Sequence, residues 1–211
     1  MWRRENILLK WLHPPRRLYQ QFLPVLLMTL FALVACEQKL PSPFHASDVS
    51  MPLSGANFNL TDHTGKLHTL ADFKGKVVAL FFGYTHCPDV CPTTLADLAQ
   101  VMRLLGKDAE KVQVLFITID PDRDEPKMLA EYMSVFHPSF LALHGDAAAT
   151  AQAAKAFYVN YQKQPTSSGY SMDHSVGIFL IDPKGRVRLR TQNDQRPAWL
   201  LEDIRLLLAG V

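Results

Sequence analysis

Apolar runs and amphipathic segments alternate along the chain after residue 52, and they predict the order of its elements. Two continuous apolar runs of strand length, KVVALFFGY (residues 76–84) and KVQVLFITID (residues 111–120), are typical of buried strands. Residues 92–106 begin with Pro and end with Gly, as many helices do, and residues 125–136 carry apolar side chains at helical spacing. The pattern therefore predicts strand, helix, strand and helix in succession.

The rest of the pattern extends this alternation in both directions. Residues 56–73 predict a short hairpin that turns at Asp62–Lys66. After the second helix we expect a strand, a helix, a fourth core strand with its hairpin partner, and a closing helix, at residues 140–145, 147–159, 174–182, 186–190 and 197–210. This order predicts an α/β fold with an N-terminal β-hairpin and a central mixed sheet that is covered by helices on both faces.

The first 35 residues have the composition of a signal peptide. A basic start precedes FLPVLLMTLFALVA (residues 22–35), which carries no charge but is too short and too interrupted by Pro to predict a membrane span. Residues 33–36, LVAC, resemble the lipobox of bacterial lipoproteins, which implies that Cys36 is acylated. The alternative is an uncleaved anchor helix. Both interpretations place the protein outside the cytoplasm at a membrane surface, and the first predicts a lipid-anchored protein that faces the periplasm.

A tether and a single folded domain are predicted to follow this leader. Residues 36–52 are rich in Pro and Ser and show no periodicity, which is typical of a flexible tether, and the domain is expected at residues 53–211. The net charge of the whole chain is +2, but it becomes −2 without the leader, which holds five basic residues and one acidic residue. The body therefore has no basic excess with which to bind nucleic acid.

Two cysteines, Cys87 and Cys91, fall between the first core strand and its helix, at the end of a strand where α/β sheets place reaction and ligand sites. Cys91 directly precedes Pro92, so we expect it at or near a helix N-terminus, where partial positive charge favours a thiolate. Because a thiolate is both a nucleophile and a metal ligand, the pair suits electron exchange or metal binding. A disulfide across so small a loop would stabilise little, and two inert buried thiols are the structural alternative.

If the pair binds a metal, a soft ion of low coordination number fits best. Two cysteines are too few for a closed four-ligand zinc site, whereas Cu(I) prefers thiolates and accepts imidazole. His174 is the strongest candidate for a third ligand, because it lies where a polar loop meets an apolar strand. His86 is next to Cys87, which makes convergence on one ion awkward. The remaining histidines fall in the leader, the tether, an exposed hairpin and the flanks of the third strand: His13, His45, His63, His68, His137 and His144.

Three separated motifs are similar, in order and spacing, to signatures of the Sco/SenC family of copper-binding proteins. They are GYTHCPDVCPTTL, ITIDPDRDEP and DHSVGIFLIDPKG, and the resemblance covers roughly Leu53 to Leu208. It implies a thioredoxin-like fold and a copper ion, Cu(I) or Cu(II), bound by Cys87, Cys91 and His174. Members of the family help to assemble the CuA centre of cytochrome c oxidase. The implied partners are therefore the copper-bearing subunit of that oxidase and a periplasmic copper donor.

Three carboxylates near these motifs are candidates for supporting roles. Asp120 and Asp124 match the acidic motif, and Asp173 precedes His174, which it is expected to orient. The structural alternative is that Asp120 simply ends its strand and caps the next helix.

Two other functions use the same cysteines. A thiol–disulfide reductase would act on exported proteins through a mixed disulfide, and this role is compatible with copper delivery. The spacing of three residues between the cysteines, and the absence of a Pro directly before His174, count against a general disulfide oxidoreductase. A peroxide-reducing or copper-sensing protein is the third hypothesis, for which the sequence offers no specific feature.

Overall fold

The fold is given by a computed structural model that describes residues 42–167, 169–192 and 196–211. The predicted signal peptide and the predicted lipidation residue Cys36 lie outside the described residues. Within those residues, no helix is long and apolar enough to cross a membrane.

Ten strands and four α-helices occur in the described part of the chain. The strands are β1 (Ser47–Asp48), β2 (Asn59–Asp62), β3 (Leu67–Thr69), β4 (Val77–Gly83), β5 (Val112–Thr118), β6 (Leu141–His144), β7 (Tyr161–Thr166), β8 (Gly169–His174), β9 (Phe179–Ile181) and β10 (Val187–Arg190). The helices are α1 (Val90–Leu105), α2 (Pro126–Phe136), α3 (Ala147–Ala156) and α4 (Pro197–Leu208). Two 3-10 turns, Leu70–Phe73 and Gly106–Lys111, follow β3 and α1.

Eight of these strands form one mixed sheet, in the order β1-β10-β9-β4-β5-β6-β2-β3. Strands β4, β5 and β6 are parallel, and the other pairings are antiparallel. Every residue of β4 and of β5 is buried, which explains why these two strands are continuous apolar runs in the sequence. The predicted mixed sheet and N-terminal hairpin are confirmed.

Helices cover both faces of this sheet, as predicted. Side chains alternate along β4, so that Phe81 packs with α1, α2 and α4 while Phe82 packs with α3. The first face meets Leu95, Leu129 and Leu200, and the second meets Ala153 and Phe157. The two cores bury the ends of β4 and β5, and the cysteine motif follows directly on β4.

The folded domain begins earlier than residue 53, so the predicted tether is wrong for its last part. Ser47–Asp48 forms an edge strand on β10, and Ala46 is buried. The carboxylate of Asp203 on α4 accepts hydrogen bonds from the backbone N–H groups of His45 (2.8 Å) and Ala46 (2.9 Å). A two-residue strand that is held through its backbone leaves no periodic signal in the sequence, which is why composition alone suggested a tether.

The segment before His174 is a hairpin rather than the predicted polar loop. Strands β7 and β8 pair only with each other, as a second, two-stranded sheet, and His174 is the last residue of β8. The fourth core strand starts at Phe179, five residues later than predicted. Because β7 is mostly exposed, it carries no apolar alternation from which a strand could be predicted.

The N-terminal hairpin is also less exposed than predicted. The side chain of His68 is buried against Phe73, and its Nε2 lies 2.8 Å from Oδ2 of Asp62. Burial opposes ionisation of Asp62, but hydrogen bonds from Thr64, His68 and Lys66 hold the pKa of this carboxyl well below its usual range. His68 is therefore part of the structural core of the hairpin.

Candidate metal centre

The two cysteines come together at the carboxyl end of β4. The backbone N–H of Cys87 donates to the carbonyl of Tyr84 (3.2 Å), so the chain turns directly after the strand. Helix α1 begins at Val90, which places Cys91 in its first turn, and the backbone N–H of Cys91 donates to the sulfur of Cys87 at 3.5 Å. The sulfur of Cys87 thus accepts a hydrogen bond from one of the N–H groups that the first turn of α1 leaves unpaired. Both residues are free thiols in this structure.

The sulfur of Cys91 packs against the end of β4, where only glycine leaves room for it. A Cβ atom on Gly83 would lie 2.8 Å from Sγ of Cys91 and 2.8 Å from Cε2 of Phe116. The side chain of Cys91 is 1% exposed. Because Gly83 has no side chain, the sulfur of Cys91 has room beside Phe116, where it is shielded from solvent.

This burial overturns the prediction of a thiolate at Cys91. Burial raises the pKa of the Cys91 thiol well above its usual range, although a hydrogen bond from the backbone N–H of Tyr84 opposes the shift. The loss of solvation outweighs the partial positive charge at the start of α1. In the metal-free protein Cys91 is a neutral thiol, and a metal ion must displace its proton in order to bind.

His174 presents one free ring nitrogen. Its Nδ1 lies 3.0 Å from the backbone carbonyl oxygen of Ser175, and a carbonyl only accepts, so Nδ1 carries the proton and Nε2 keeps its lone pair. The imidazole stands edge-on to the ring of Tyr84, with ring centroids 6.1 Å apart. His174 and Cys91 line the same cleft, together with Val90, Thr94 and other residues of β4, α1 and the segment after β8.

The structure brings the predicted ligands together in pairs. Cys87 contacts Cys91, and Cys91 shares a cleft with His174. Within the part of the chain that the structure describes, however, no three Cys, His, Asp or Glu side chains are arranged to hold one metal ion. The three-ligand site therefore stays a prediction, and it requires a shift of His174 or of Cys87. The hairpin that carries His174 is not hydrogen-bonded into the main sheet, so such a shift leaves the main sheet intact.

Asp124 connects the loop that precedes Cys87 to the end of β5 through hydrogen bonds. Its buried carboxylate accepts hydrogen bonds from the backbone N–H (3.1 Å) and hydroxyl (2.6 Å) of Thr85, and from the hydroxyl of Thr118 (2.5 Å). Thr85 lies two residues before Cys87. Asp124 thus positions the loop that carries the first cysteine, and its supporting role at a metal site stays a prediction.

Asp120 instead supports the hairpin that carries His174. It is fully buried and accepts hydrogen bonds from the hydroxyl of Tyr170 (2.8 Å) and from Nε of Arg123. The Arg123 guanidinium lies 3.7 Å from the centroid of the Tyr170 ring and donates to the Tyr170 carbonyl (2.9 Å). Neither Asp120 nor Asp124 caps α2, whose N-cap residue is Glu125, so the capping alternative is wrong.

Arg123 and Tyr170 therefore support the hairpin that carries His174, and neither residue was predicted from the sequence. The available signals were an Arg inside an acidic motif and a Tyr inside an otherwise polar segment. Neither signal indicates that the two side chains meet.

Asp173 does not orient His174 in this structure. Successive side chains of a strand point to opposite faces, and Asp173 is exposed while Met172 and His174 face the protein. The carbonyl of Ser175 does the orienting, and a backbone group of this kind cannot be identified from residue types.

Comparison with known proteins assigns the chain to a family. A sequence model of SCO1/SenC proteins matches residues 48–209. The chain belongs to the SCO1/SenC family. The resemblance of the three sequence motifs is thus confirmed, and so is the thioredoxin-like fold, through the solved Sco structures.

Among the SCO1/SenC relatives, the mitochondrial SCO2 homolog of Bos taurus is 44% identical over 133 residues, which are 61% of this chain and 50% of that protein. The chain spans about half the length of the first curated relatives that it matches. Bradyrhizobium japonicum ScoI, solved with copper bound, is 42% identical, with a TM-score of 0.67, and the match covers 72% of this chain and 98% of that one. Yeast Sco1, also solved with copper bound, is 30% identical with a TM-score of 0.67, over 80% of this chain and 91% of that one.

Proposed function

We propose that this SCO1/SenC protein is a copper metallochaperone that binds one copper ion through the sulfurs of Cys87 and Cys91 and Nε2 of His174. The observation that carries the proposal is that His174, whose Nε2 keeps its lone pair, lines the same cleft as Cys91. Two thiols and an imidazole form a soft donor set of the kind that copper prefers. Copper in the solved ScoI and Sco1 relatives supports the same ion here.

Loading requires two changes in the protein. The proton of Cys91 must leave, because burial holds this sulfur as a neutral thiol and only a thiolate is a strong ligand. In addition, either the β7–β8 hairpin must bring His174 closer to the sulfurs or Cys87 must shift, and the separation of the hairpin from the main sheet favours the first movement. The two thiolates supply negative charge that compensates the charge of the ion.

Release would follow by ligand exchange. The thiolates of a partner protein replace the ligands one at a time, and His174 is suited to leave first, because it belongs to a different element from the two cysteines. The partner that family membership favours is the copper-bearing subunit of cytochrome c oxidase, where the ion would contribute to the CuA centre. A periplasmic protein would supply the copper. The leader favours an exported protein that is lipid-anchored to a bacterial membrane through Cys36 and faces the periplasm.

The test is a measurement of copper stoichiometry and affinity on the full-length protein, purified in detergent under reducing, anaerobic conditions. We expect one tightly bound copper ion in the wild type and a loss of at least about tenfold in affinity in Cys87→Ser, Cys91→Ser and His174→Ala, since each substitution removes one ligand. His137→Ala is the matched control, because the His137 side chain contacts Ser139 and Phe140 near the end of α2 and was not predicted as a ligand. A His174→Ala protein that binds copper as tightly as the wild type would refute the assignment.

The thiol–disulfide reductase is the less favoured alternative. Reductases and peroxidases need an accessible, readily ionised attacking thiol. Cys91 has neither property, which leaves Cys87, the more exposed of the two, as the one sulfur of the pair that could attack a disulfide. The site is better suited to holding an ion between two sulfurs than to attacking a disulfide.

A further inference from the structure

The hydroxyl of Tyr132 is buried and has no hydrogen-bond partner among the described residues. Tyr132 lies on α2, and its ring packs against Phe116, with ring centroids 6.1 Å apart, and edge-on against Phe136 at 5.3 Å. Buried polar groups without a partner are rare, because losing water without gaining a hydrogen bond costs stability. A phenylalanine would fill the same aromatic cluster without that cost, so the hydroxyl itself requires an explanation.

The surroundings of Tyr132 connect it to the cysteine pair. Its ring packs against Phe116, and the edge of Phe116 lies beside the sulfur of Cys91, since both are 2.8 Å from the position of a Cβ on Gly83. Cys87 and Tyr132 pack against the same hydrophobic cluster, of which Cys91 is a member. Burial, and then the proximity of Cys91, Cys87 and Asp124, raise the pKa of the Tyr132 hydroxyl well above its usual range. The group therefore keeps its proton and is available as a donor.

We propose that the Tyr132 hydroxyl donates a hydrogen bond to the sulfur of Cys91 when that sulfur is bound to copper. In the metal-free protein the hydroxyl makes no hydrogen bond to this sulfur, and a neutral thiol would be only a weak acceptor. A copper-bound thiolate is charged, and hydrogen bonds to charged acceptors are about twice as strong as those between neutral groups. Tyr132 is then a positioning residue that stabilises the loaded state and lowers the electron donation from sulfur to the ion. This inference rests on the proposed copper-binding function.

The test compares wild type, Tyr132→Phe and Tyr158→Phe in the full-length protein. Tyr158 is 66% exposed and lies just after α3, on the opposite face of the sheet, so it is the matched control. Three quantities are measured on each protein: the thermal midpoint without metal, the Cu(I) affinity by competition with a chromophoric chelator, and the energy of the sulfur-to-Cu(II) charge-transfer band. The band reports on the electron density at sulfur, which a purely structural role of Tyr132 would not change.

For Tyr132→Phe we expect an unchanged or higher thermal midpoint, because an unpaired buried hydroxyl is removed. We expect a Cu(I) affinity about tenfold lower than that of the wild type, as for the loss of a hydrogen bond to a charged group. The charge-transfer band should move to lower energy, and Tyr158→Phe should change none of the three quantities.

Two results would overturn the inference. One is a Tyr132→Phe protein whose affinity and band match those of the wild type. The other is a lower affinity that is accompanied by a lower thermal midpoint and an unshifted band, which would mean that Tyr132 acts only through packing. If the wild type itself bound no copper, the proposed function would fail first, and the inference would fail with it.

Discussion

Two opposing effects act on the Cys91 thiol, and their magnitudes decide its state. The partial charge at a helix N-terminus favours an anion by about 0.3–2 kcal/mol. Complete burial of an ionisable group shifts its pKa by up to 3–5 units, and each unit corresponds to about 1.4 kcal/mol. Since Cys91 is almost fully buried, desolvation dominates, and the thiol keeps its proton at neutral pH. Burial of this kind also shields the thiol from oxidation, because reactive cysteines are partly exposed and readily ionised.

Asp124 accepts hydrogen bonds from Thr85 in the loop before Cys87, so a substitution of this single carboxylate should affect both stability and copper binding. In Asp124→Asn the amide nitrogen replaces an oxygen that accepts hydrogen bonds from Thr85 or Thr118, at nearly constant volume. We expect the free energy of unfolding to fall by about 1–3 kcal/mol, as for a buried donor that loses its acceptor. We also expect weaker copper binding, because Thr85 no longer fixes the turn that positions Cys87. Urea unfolding and chelator competition measure the two effects.

The control for this experiment is Asp173→Asn, which changes the same functional group at an exposed position next to His174. It should alter the free energy of unfolding by less than about 0.5 kcal/mol, as surface substitutions usually do. If Asp173→Asn weakens copper binding more than Asp124→Asn does, the supporting roles assigned to these two carboxylates are reversed.

At the scale of elements, the β7–β8 hairpin places His174 beside Tyr84, just after the end of β4. Hydrogen bonds connect it to the loop after β5: Tyr170 of the hairpin bonds to the buried Asp120 and to Arg123. A second connection between the hairpin and this loop, the ion pair of Lys163 with Asp122, lies at the surface. We expect these buried contacts to set the distance between His174 and the two thiols.

The substitution Tyr170→Phe tests whether the hydrogen bond between Tyr170 and Asp120 holds the hairpin in place. It removes the hydrogen bond to Asp120 but keeps the aromatic ring beneath the Arg123 guanidinium. We expect faster hydrogen exchange in residues 161–174 and copper affinity reduced by about three- to tenfold, which corresponds to about 0.7–1.4 kcal/mol, with a smaller change in the thermal midpoint. Lys163→Ala is the control, because exposed ion pairs contribute little. Equal exchange rates in the wild type and Tyr170→Phe would show that this hydrogen bond does not hold the hairpin.

The elements differ in how well the sequence predicts them, and burial explains the difference. Strands β4 and β5 are buried on both faces, so their apolar runs identify them directly. Strands β1 and β7 are mostly exposed and form through backbone pairing, which leaves no pattern in the side chains. Cys87 and Cys91 are conspicuous because their spacing is local. The contacts of Asp124 with Thr85 and of Arg123 with Tyr170 join residues 39 and 47 positions apart, and a single sequence contains no signal for such pairs.

On the scale of the whole molecule, the stability of the metal-free protein should depend on alkaline pH through Cys91. An ordinary cysteine has a pKa of about 8.5, and burial raises the pKa of Cys91 in the folded protein above that value. The unfolded chain therefore loses this proton at a lower pH than the folded protein does. The stabilising contribution of the neutral thiol is fully present below about pH 8.5, and it is lost progressively as the pH rises towards the pKa of the folded state.

This dependence can be measured by urea unfolding of the metal-free, reduced, full-length protein between about pH 7 and pH 9.5, a range that spans the ordinary thiol pKa. For one thiol the free energy of unfolding should fall with a limiting slope of about 1.4 kcal/mol per pH unit above that pKa. Cys91→Ala should be less stable at every pH but lack this component of the slope, whereas Cys87→Ala should retain it. Other groups that titrate in this range affect all three proteins alike, so the informative quantity is the difference in slope. Equal slopes in the wild type and Cys91→Ala would mean that Cys91 ionises as easily when folded as when unfolded, and that copper displaces no tightly held proton when it binds.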